Sequence, residues 1–295
     1  MKRLTYTIVL ALVLLMVSSC NRLDIAGMVV NRSDTEERVA DWLDWDNQHH
    51  PCVINNAPDN YVFYSCSDAH LNDNNARLVK FIMAERNDPE AVLSILAGDI
   101  ANESGEIPFI LAEEAMAYRP EVHAKNDPCC PIIGNHDVYF DCADYYKQHF
   151  HTSTYTVTVN TVMGYKDLFI FLDSGNGTHG RRQLDWLEEQ LSHRSEYRYC
   201  FVISHNWLFR TTYNYTTTPA ANLPEDEQYA FMDLMSQNNV DLVIMGHFHY
   251  RNAKTFGGVK YVMTDNLNEG TDTPSYLVVR CADKVTYEYR LLNDE

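Results

Sequence analysis

The chain has 295 residues, of which 45% are hydrophobic and 22% are charged, and its formal net charge is -18 at pH 7. This length allows one large domain with a well-buried core, and the composition is that of a globular protein rather than a disordered chain or a membrane bundle. The strong negative charge repels nucleic-acid phosphates and therefore argues against general binding to DNA or RNA.

The amino terminus has the pattern of an export signal. Lys2 and Arg3 precede an apolar stretch at 8–17, after which small residues lead to Cys20. A basic start, a short apolar region and small residues are typical of a secretory signal peptide, and the apolar run is shorter than the ~20 residues that a membrane span needs. The small residues before Cys20 also resemble the lipobox of bacterial lipoproteins.

The lipobox resemblance implies a signal peptide at 1–19 and a lipid on Cys20. The protein would then be exported and held on the periplasmic or cell-surface side of a membrane. The alternative is an ordinary signal peptide that happens to contain a cysteine.

Residues 20–60 are predicted to form a tether and an N-terminal extension. The residues Ser33-Asp34-Thr35-Glu36 have the capping-box pattern, which predicts the start of a helix. Residues 55–60 are rich in Asn, Asp and Pro and are expected to break the chain before the first strand. The main domain is therefore predicted over 61–295.

Predicted strands alternate with predicted helices from residue 61 onward. Five apolar runs are expected to be buried strands: 61–67, 92–97, 129–133, 200–203 and 242–245. Helices are predicted at about 72–86, 108–118, 181–193 and 225–238, and further strands at 154–160, 168–173, 251–256, 259–264, 275–281 and 284–291. Strands that alternate with helices and then continue as a meander predict an α/β fold with two packed sheets and helices outside.

Each of the five buried strands ends in a short polar block. The blocks are Asp68-Ala69-His70, Gly98-Asp99, Gly134-Asn135-His136-Asp137, Ser204-His205 and Gly246-His247-Phe248-His249. In open α/β sheets, ligands bind beyond the carboxyl ends of the strands. The five blocks are therefore expected to meet at one edge. The glycines before three of the candidate ligands are expected to let the backbone turn sharply there.

The side chains of these blocks suit a pair of divalent metals. Carboxylates are hard, negative ligands, neutral imidazole binds Zn, Fe, Mn, Ni and Co, and Asn offers an uncharged carbonyl oxygen. Seven ligands are too many for one metal with an open catalytic position, but they fit two metals that share a bridging carboxylate. The seven candidates are Asp68, His70, Asp99, Asn135, His205, His247 and His249.

In type and order, the five blocks resemble the motifs of the calcineurin-like metallophosphoesterase superfamily over residues of about 61–250. The sequence Q-L-D-W-L-E at 183–188, which follows Leu172-Asp173-Ser174, resembles a helix that many members carry. The pattern is most similar to the bacterial cyclic-nucleotide phosphodiesterase-like branch, and the presence of His70 disfavours the purple acid phosphatase branch. The resemblance implies a four-layer α/β/β/α sandwich with two mixed sheets and a dinuclear metal site at the carboxyl ends of the strands.

The resemblance also implies a role for each residue of the blocks. One metal would be held by Asp68, His70, Asp99 and His249, and the second by Asp99, which would bridge the pair, together with Asn135, His205 and His247. His136 would stabilise or protonate the leaving oxygen, with Asp137 orienting its ring. A metal-bridging hydroxide would attack a phosphomonoester or phosphodiester, and the two ions would be Mn, Fe or Zn. One departure is Asn102, where many members have an acidic residue.

Several alternatives stay open at this point. A pyrophosphatase acting on nucleotide sugars or lipid-linked substrates has the same phosphate chemistry, and a non-catalytic surface binding protein can keep the same scaffold. Trp207 and Tyr213 lie in an aromatic segment at 206–223, which either borders the substrate pocket or packs on itself. Asp173 either supports the site or caps its own loop. Histidines outside the blocks, such as His179, are expected to lie at the surface or in loops.

Overall fold

The computed structural model describes residues 34–49, 52–102, 105–118, 127–209 and 223–292. The predicted signal peptide, Cys20 and most of the aromatic segment at 206–223 lie outside these ranges. Within the described ranges, no helix combines the length and the apolar character that crossing a membrane requires.

The described residues form six α-helices and twelve β-strands. The helices are α1 Asp34–His49, α2 Ala76–Arg86, α3 Ile107–Ala117, α4 Cys142–Phe150, α5 Arg181–Ser192 and α6 Glu225–Gln237. The strands are β1 Cys52–Ala57, β2 Tyr61–Cys66, β3 Ala91–Ala97, β4 Cys129–Ile132, β5 Tyr155–Thr161, β6 Lys166–Phe171, β7 Tyr199–Ile203, β8 Leu242–Met245, β9 Asn252–Phe256, β10 Val259–Met263, β11 Ser275–Cys281 and β12 Val285–Leu291. All five strands that precede the polar blocks are present.

The strands form two mixed sheets. The larger sheet has seven strands in the order β1-β5-β6-β7-β8-β10-β9, and the smaller sheet has five in the order β12-β11-β2-β3-β4. The ring centroid of Phe63 in β2 lies 4.9 Å from that of Phe169 in β6 and 4.9 Å from that of Phe201 in β7, so the two sheets pack face to face. The predicted α/β fold with two packed mixed sheets is confirmed.

The helices cover the outer faces of both sheets. Buried side chains of α2, α3 and α4 share an apolar cluster with Val62 and Tyr64 of β2, while Phe63 between them faces the larger sheet. On the other side, α5 and α6 pack against the larger sheet through residues such as Leu187 and Phe231. Because β2 is buried on both faces, it reads as a continuous apolar run rather than as an alternating one.

The fold begins before residue 61. Strand β1 pairs in parallel with β5 at the edge of the larger sheet, although its residues are mostly exposed. Helix α1 is fixed by a buried contact, because Arg38 and the indole Nε1 of Trp42 both donate to the Asp173 carboxylate at 3.0 Å. The segment predicted to be an extension therefore contributes a helix and a strand. Asp173 holds that helix and also caps its own loop, since its Oδ1 accepts from Gly175 N at 2.9 Å.

Two sets of parallel strands determine where the polar blocks lie. In the smaller sheet β2, β3 and β4 are parallel neighbours, and in the larger sheet β7 and β8 are parallel neighbours. Backbone hydrogen bonds continue past the strand ends, from Asp68 N to Gly98 O at 2.9 Å and from Gly246 N to His205 O at 2.9 Å. The carboxyl ends of all five strands thus deliver their blocks to one edge of the sandwich.

Candidate metal centre

The backbone at the strand ends adopts a conformation that side-chain-bearing residues rarely take. Within the described residues, eight non-glycine residues have a positive φ, and five of them are candidate ligands: Asp68, His70, Asp99, His247 and His249. Each such residue costs of order 1–3 kcal/mol and persists only where the surrounding structure over-determines it. Strain concentrated in this way is typical of functional sites, and here it aims the side chains of successive blocks at a common point.

The first group of side chains combines residues from three strand ends. The Nε2 atom of His249 lies 3.3 Å from Asp68 Oδ1 and 3.0 Å from His70 Nε2. The same His70 Nε2 lies 3.8 Å from Asp99 Oδ2. Asp68 is fully buried, whereas the His249 side chain is 40% exposed, so this group opens to solvent on the His249 side.

The second group lies on the other side of Asp99. His205 Nε2 is 3.2 Å from Asp99 Oδ2 and 3.1 Å from Asn135 Oδ1. Potential ligand atoms of Asp99, His205 and His247 all lie within 4.8 Å of one another. Since Oδ2 of Asp99 faces a histidine of each group, this carboxylate stands between them, as a bridging ligand does.

The hydrogen-bond pattern of His205 shows that the residues fit metal ions. Its Nδ1 lies 2.8 Å from the carbonyl oxygen of Ala97 and must donate a proton there. When the ring is neutral, as a metal ligand must be, its lone pair lies on Nε2 and points toward the oxygens of Asp99 and Asn135, where a cation can sit. Among the residues that the structure describes, neither ring nitrogen of the buried His247 has a hydrogen-bond partner. A cation between these groups takes the lone pairs of His205 Nε2 and of one ring nitrogen of His247 and neutralises the facing oxygens, whereas an unpaired buried polar atom is costly.

The charges of the metal-free centre are set by mutual contacts. Burial lowers the pKa of His205, but the Asp99 carboxylate outweighs burial and raises that pKa to about 9. Burial and the neighbouring His205 together lower the pKa of His247 to about 4. Burial raises the pKa of Asp68, but His249 and His205 outweigh burial and hold it at about 2. The metal-free centre therefore holds a proton on His205 where a metal ligand is expected.

We expect metal binding at pH 7 to release about one proton per chain or more, because a ligating imidazole must be neutral and His205 has a pKa of about 9 without metal. The apparent affinity should accordingly fall by about tenfold for each pH unit below 9. Calorimetric titration with Zn²⁺ in two buffers of different ionisation enthalpy measures the number of protons. Equal heats in the two buffers would contradict the assigned contact between His205 and Asp99.

His136 lies beside the first group, and its ring is held by backbone. Its Nδ1 is 2.5 Å from the carbonyl oxygen of Asn102, and its ring centroid is 4.5 Å from that of His70. The contact with Asn102 uses a main-chain atom, so it does not depend on which side chain stands at this position. The Asn102 side chain instead donates to Asn72.

The carboxylate of Asp137 has a different place from the one expected. Its two oxygens accept hydrogen bonds from Ala101 N and Gly134 N, each at 2.8 Å, rather than from the ring of His136. Burial and the Asp99 charge raise its pKa to about 6 against these backbone contacts. Asp137 therefore holds the turns after β3 and β4 together, and any orientation of His136 by Asp137 acts through the backbone.

Some supporting residues are not among those predicted from the sequence. Ser67 Oγ donates to Asp68 Oδ2 and lies 2.6 Å from Thr264 Oγ1, and Asn266 Nδ2 donates to the His249 carbonyl oxygen at 3.1 Å. Thr264 and Asn266 follow β10, the neighbour of β8 in the larger sheet. A polar block after a strand is the signal that predicts the five blocks, and the same signal is present here.

The aromatic segment after His205 is partly described. Trp207 is only 1% exposed and belongs to the apolar core on the larger sheet, where its ring lies 5.2 Å from that of Phe209. A side chain this buried does not stack on a substrate, so the pocket interpretation is wrong for Trp207. Tyr213 lies outside the described residues.

Gly134 and Gly246 allow neighbouring strand ends to lie closer together than a residue with a Cβ atom would. A Cβ on Gly134 would lie 2.2 Å from the backbone nitrogen of Asp99, and a Cβ on Gly246 would lie 2.7 Å from the Ser67 side chain. Neither residue has a positive φ, unlike Gly98 at +89°. The expectation that these glycines serve to turn the chain therefore holds for Gly98, while the other two allow neighbouring strand ends to approach closely.

Gly134→Ala is expected to destabilise the protein by about 1–3 kcal/mol or more, because the clash is with main chain that cannot rotate away. The displaced Asp99 should also weaken metal binding. Gly270→Ala is the control, since the nearest atom to a methyl group added there is Asn268 Oδ1 at 3.5 Å. Thermal unfolding with and without Zn²⁺ measures both effects, and equal behaviour of the two variants would contradict the proposed close packing.

The fold and this centre define a class of protein: an α/β/β/α sandwich with a buried Asp/His site able to hold two divalent metals. The sequence profile of the calcineurin-like phosphoesterase family matches residues 61–251. The chain belongs to that family, which makes it a metal-dependent phosphoester hydrolase. A search among curated proteins finds no match to the sequence.

Solved structures share the fold at low sequence identity. GAP50, the anchor in the inner membrane complex of Plasmodium, has a TM-score of 0.60 and 13% identity, over 80% of this chain and 85% of that one. A dimetal phosphatase from Danio rerio has a TM-score of 0.57 and 12% identity, over 79% and 96% of the two chains. Purple acid phosphatase PPD1 from yellow lupin (Lupinus luteus) has a TM-score of 0.59 and 12% identity, over 80% and 53%.

Proposed function

We propose that the protein hydrolyses a phosphomonoester or phosphodiester at a dinuclear centre. The observation that carries the proposal is the position of Asp99, whose Oδ2 faces His70 at 3.8 Å and His205 at 3.2 Å. When bound, two divalent metals lower the pKa of a bound water toward neutrality and neutralise charge on the phosphate. The residues that would hold them are Asp68, His70, Asp99 and His249 for one ion, and Asp99, Asn135, His205 and His247 for the other.

His136 is the group placed to handle the proton of the reaction. With Nδ1 held by the Asn102 carbonyl oxygen, the ring keeps one orientation and leaves Nε2 as the nitrogen available to a leaving oxygen. One of its ring nitrogens lies within 4.8 Å of ligand atoms of His70 and Asp99. A protonated His136 would therefore donate from Nε2 to the leaving oxygen as the bond to phosphorus breaks.

The test of the proposed function is metal content together with turnover of two model substrates. The full chain, purified in detergent and reconstituted with Mn²⁺, Fe²⁺ or Zn²⁺, should hold close to two ions and release p-nitrophenol from p-nitrophenyl phosphate or bis-p-nitrophenyl phosphate. The preferred compound separates a monoesterase from a diesterase. A chain that stays metal-free and inactive with all three metals would contradict the proposal.

A wider substrate panel separates the pyrophosphatase alternative. Cyclic nucleotides, nucleoside monophosphates, nucleotide sugars and lipid-linked diphosphates share the phosphate end but differ in the bond that breaks. Product analysis by mass spectrometry shows whether a P–O–P bond or a P–O–C bond is cleaved. Cleavage restricted to P–O–P bonds would replace the phosphoesterase proposal by the pyrophosphatase one.

We also propose that a lipid on Cys20 anchors the protein to a membrane on the exported side. The support is the sequence pattern at 1–20, in which small residues lead directly to the cysteine. Fractionation of bacterial cells that express the full chain should place the protein with membranes, and Cys20→Ser should release it from the lipid-bound fraction. Equal fractionation of both proteins would contradict the lipid anchor.

A further inference from the structure

A buried chain of three polar side chains lies behind the metal ligand His205. His179 Nε2 is 2.9 Å from Ser204 Oγ, and His179 Nδ1 is 3.1 Å from Glu227 Oε1. His179 and Ser204 are fully buried, and the Glu227 side chain is 13% exposed. His179 lies in the loop before α5, as expected of a surface or loop residue, but it is buried there, which no motif around it in the sequence indicates.

This arrangement has the geometry of a serine–histidine–acid triad, but burial excludes a nucleophilic role. Ser204 is 0% exposed, so no substrate reaches its oxygen. On its other side, Ser204 Oγ lies 3.2 Å from Ser174 Oγ. The series of hydrogen bonds therefore continues inward from Ser204 to Ser174, and its role follows from the residues that Ser174 contacts.

The inner end of the chain is the backbone of the metal ligand. Ser174 follows Asp173 in the loop after β6, and its Oγ accepts hydrogen bonds from His205 N at 3.2 Å and from Asn206 N at 3.1 Å. The same hydroxyl donates to Asn206 Oδ1 at 3.0 Å. These contacts fix the turn after β7, on which the direction of the His205 ring depends.

The outer end of this series of hydrogen bonds is the Glu227 carboxylate, and both of its oxygens accept hydrogen bonds. Glu227 Oε1 accepts from His179 N at 2.6 Å, and Oε2 accepts from Thr178 Oγ1 at 2.6 Å. Glu227 lies in the first turn of α6, where a negative charge is favourable. Burial raises the pKa of Glu227, but the contacts with His179 and Thr178 outweigh burial and lower it, which keeps the carboxylate charged. The ring of His179 also stacks on Phe231 of α6 at 4.8 Å.

We propose that Glu227 and His179 are positioning residues that hold His205, through Ser204 and Ser174, in the orientation needed to bind the second metal. The inference rests on the proposed dinuclear function. Helix α6 contributes none of the proposed ligands, but through Glu227 it would stabilise the His205 side of the metal centre. Replacement of either residue should weaken binding of the second metal and leave binding of the first, held by Asp68, His70, Asp99 and His249, unchanged.

The test compares zinc binding by four full-length chains, the wild type and the variants Glu227→Gln, His179→Gln and Gln228→Ala, by equilibrium dialysis of the metal-free protein. Outer partners of metal ligands typically contribute about 10- to 100-fold in affinity, so one of the two dissociation constants should rise by about tenfold or more in the first two variants. Gln228 is the matched control, because it is also buried in the first turn of α6 but donates to the Leu223 carbonyl oxygen.

Turnover gives a second readout that separates positioning from general loss of stability. In Glu227→Gln and His179→Gln, kcat should fall at limiting Zn²⁺ and recover at excess Zn²⁺, with KM for p-nitrophenyl phosphate unchanged. If Glu227→Gln does not fold, Ser174→Ala tests the same link, since it removes one oxygen atom and no charge.

Three results would overturn the inference. They are unchanged zinc affinity in Glu227→Gln and His179→Gln, an equal loss of affinity for both zinc ions, or the same loss of zinc affinity in Gln228→Ala. A wild-type chain that binds fewer than two ions would instead contradict the proposed function, and this inference with it.

Discussion

Asp99→Asn is expected to lose catalysis and at least one of the two metal ions. Asp99 Oδ2 lies 3.2 Å from His205 and 3.8 Å from His70, which places one carboxylate oxygen between the two groups of ligands. An asparagine side chain keeps the shape but loses the negative charge, and its NH2 group repels a cation if it takes the place of Oδ2. Replacement of a residue that only supports a metal ligand typically lowers activity by about 10- to 100-fold, and the fall in kcat for Asp99→Asn should be larger.

The Asp99→Asn substitution would also change the metal-free centre. Asp99 is the main cause of the raised pKa of His205. Without this carboxylate, burial should lower the pKa of His205, and the ring should be less protonated at neutral pH. The variant should therefore release fewer protons when it binds whatever metal it still holds. Elemental analysis and the two-buffer calorimetric titration measure these two consequences independently of turnover.

Asp241→Asn is the matched control for Asp99→Asn. Asp241 is a partly buried carboxylate that accepts from Arg194 Nη2 at 2.7 Å and from Cys200 N at 2.8 Å, at the opposite end of β7 from His205. Its replacement removes an ion pair and should leave the metal content near two. A result in which Asp99→Asn keeps two ions and normal kcat would show that the bridging position is assigned to the wrong carboxylate.

His136→Ala is expected to lower kcat by about 100- to 10,000-fold, the usual contribution of a positioned acid or base. Metal content should stay at the wild-type value, because the seven proposed ligands do not include His136. The loss should be smaller for substrates whose leaving group is a weak base, such as p-nitrophenol, since these depart without full protonation. Comparison of p-nitrophenyl phosphate with an alkyl phosphate measures this difference.

The alternative role of His136 is that of an eighth ligand. One of its nitrogens lies within 4.8 Å of ligand atoms of His70 and Asp99, a distance that also allows His136 to bind a metal together with them. Loss of one ion together with activity in His136→Ala would favour the ligand role. His193→Ala, which breaks a surface pair with Glu196, is the control for removal of an imidazole and should change neither quantity.

Much of the fold is accessible from sequence patterns because those patterns are local. The strands before the five polar blocks are largely buried and appear as apolar runs, and α6 carries a well-marked start at Pro224 followed by three acidic residues. Strand β1 and helix α4 are not predicted, for the same reason. The first is a mostly exposed edge strand without alternation of apolar and polar residues, and the second buries only Cys142 and Tyr146 among its nine residues, so neither carries a strong pattern.

The function of individual small residues is harder to predict. A glycine before a ligand indicates a special backbone position, but the sequence does not say whether it supplies a positive φ or empty space. Gly134 is required for space, because the backbone of Asp99 from a different strand passes beside it. Asp137 likewise contacts two neighbouring turns rather than the histidine next to it in the chain.

The order of residues along the chain was enough to establish the chemistry of this protein: the succession of strands, the Asp, His and Asn side chains at their ends, and the family that this succession defines. Three further findings required the folded molecule, namely how closely those side chains approach one another, that α1 and β1 belong to the same fold, and that His179 and Glu227 stand behind His205. The difference is one of range. Hydrophobic periodicity and turn chemistry act over a few residues, whereas the contact of His205 with Asp99 exists only once two sheets have packed face to face.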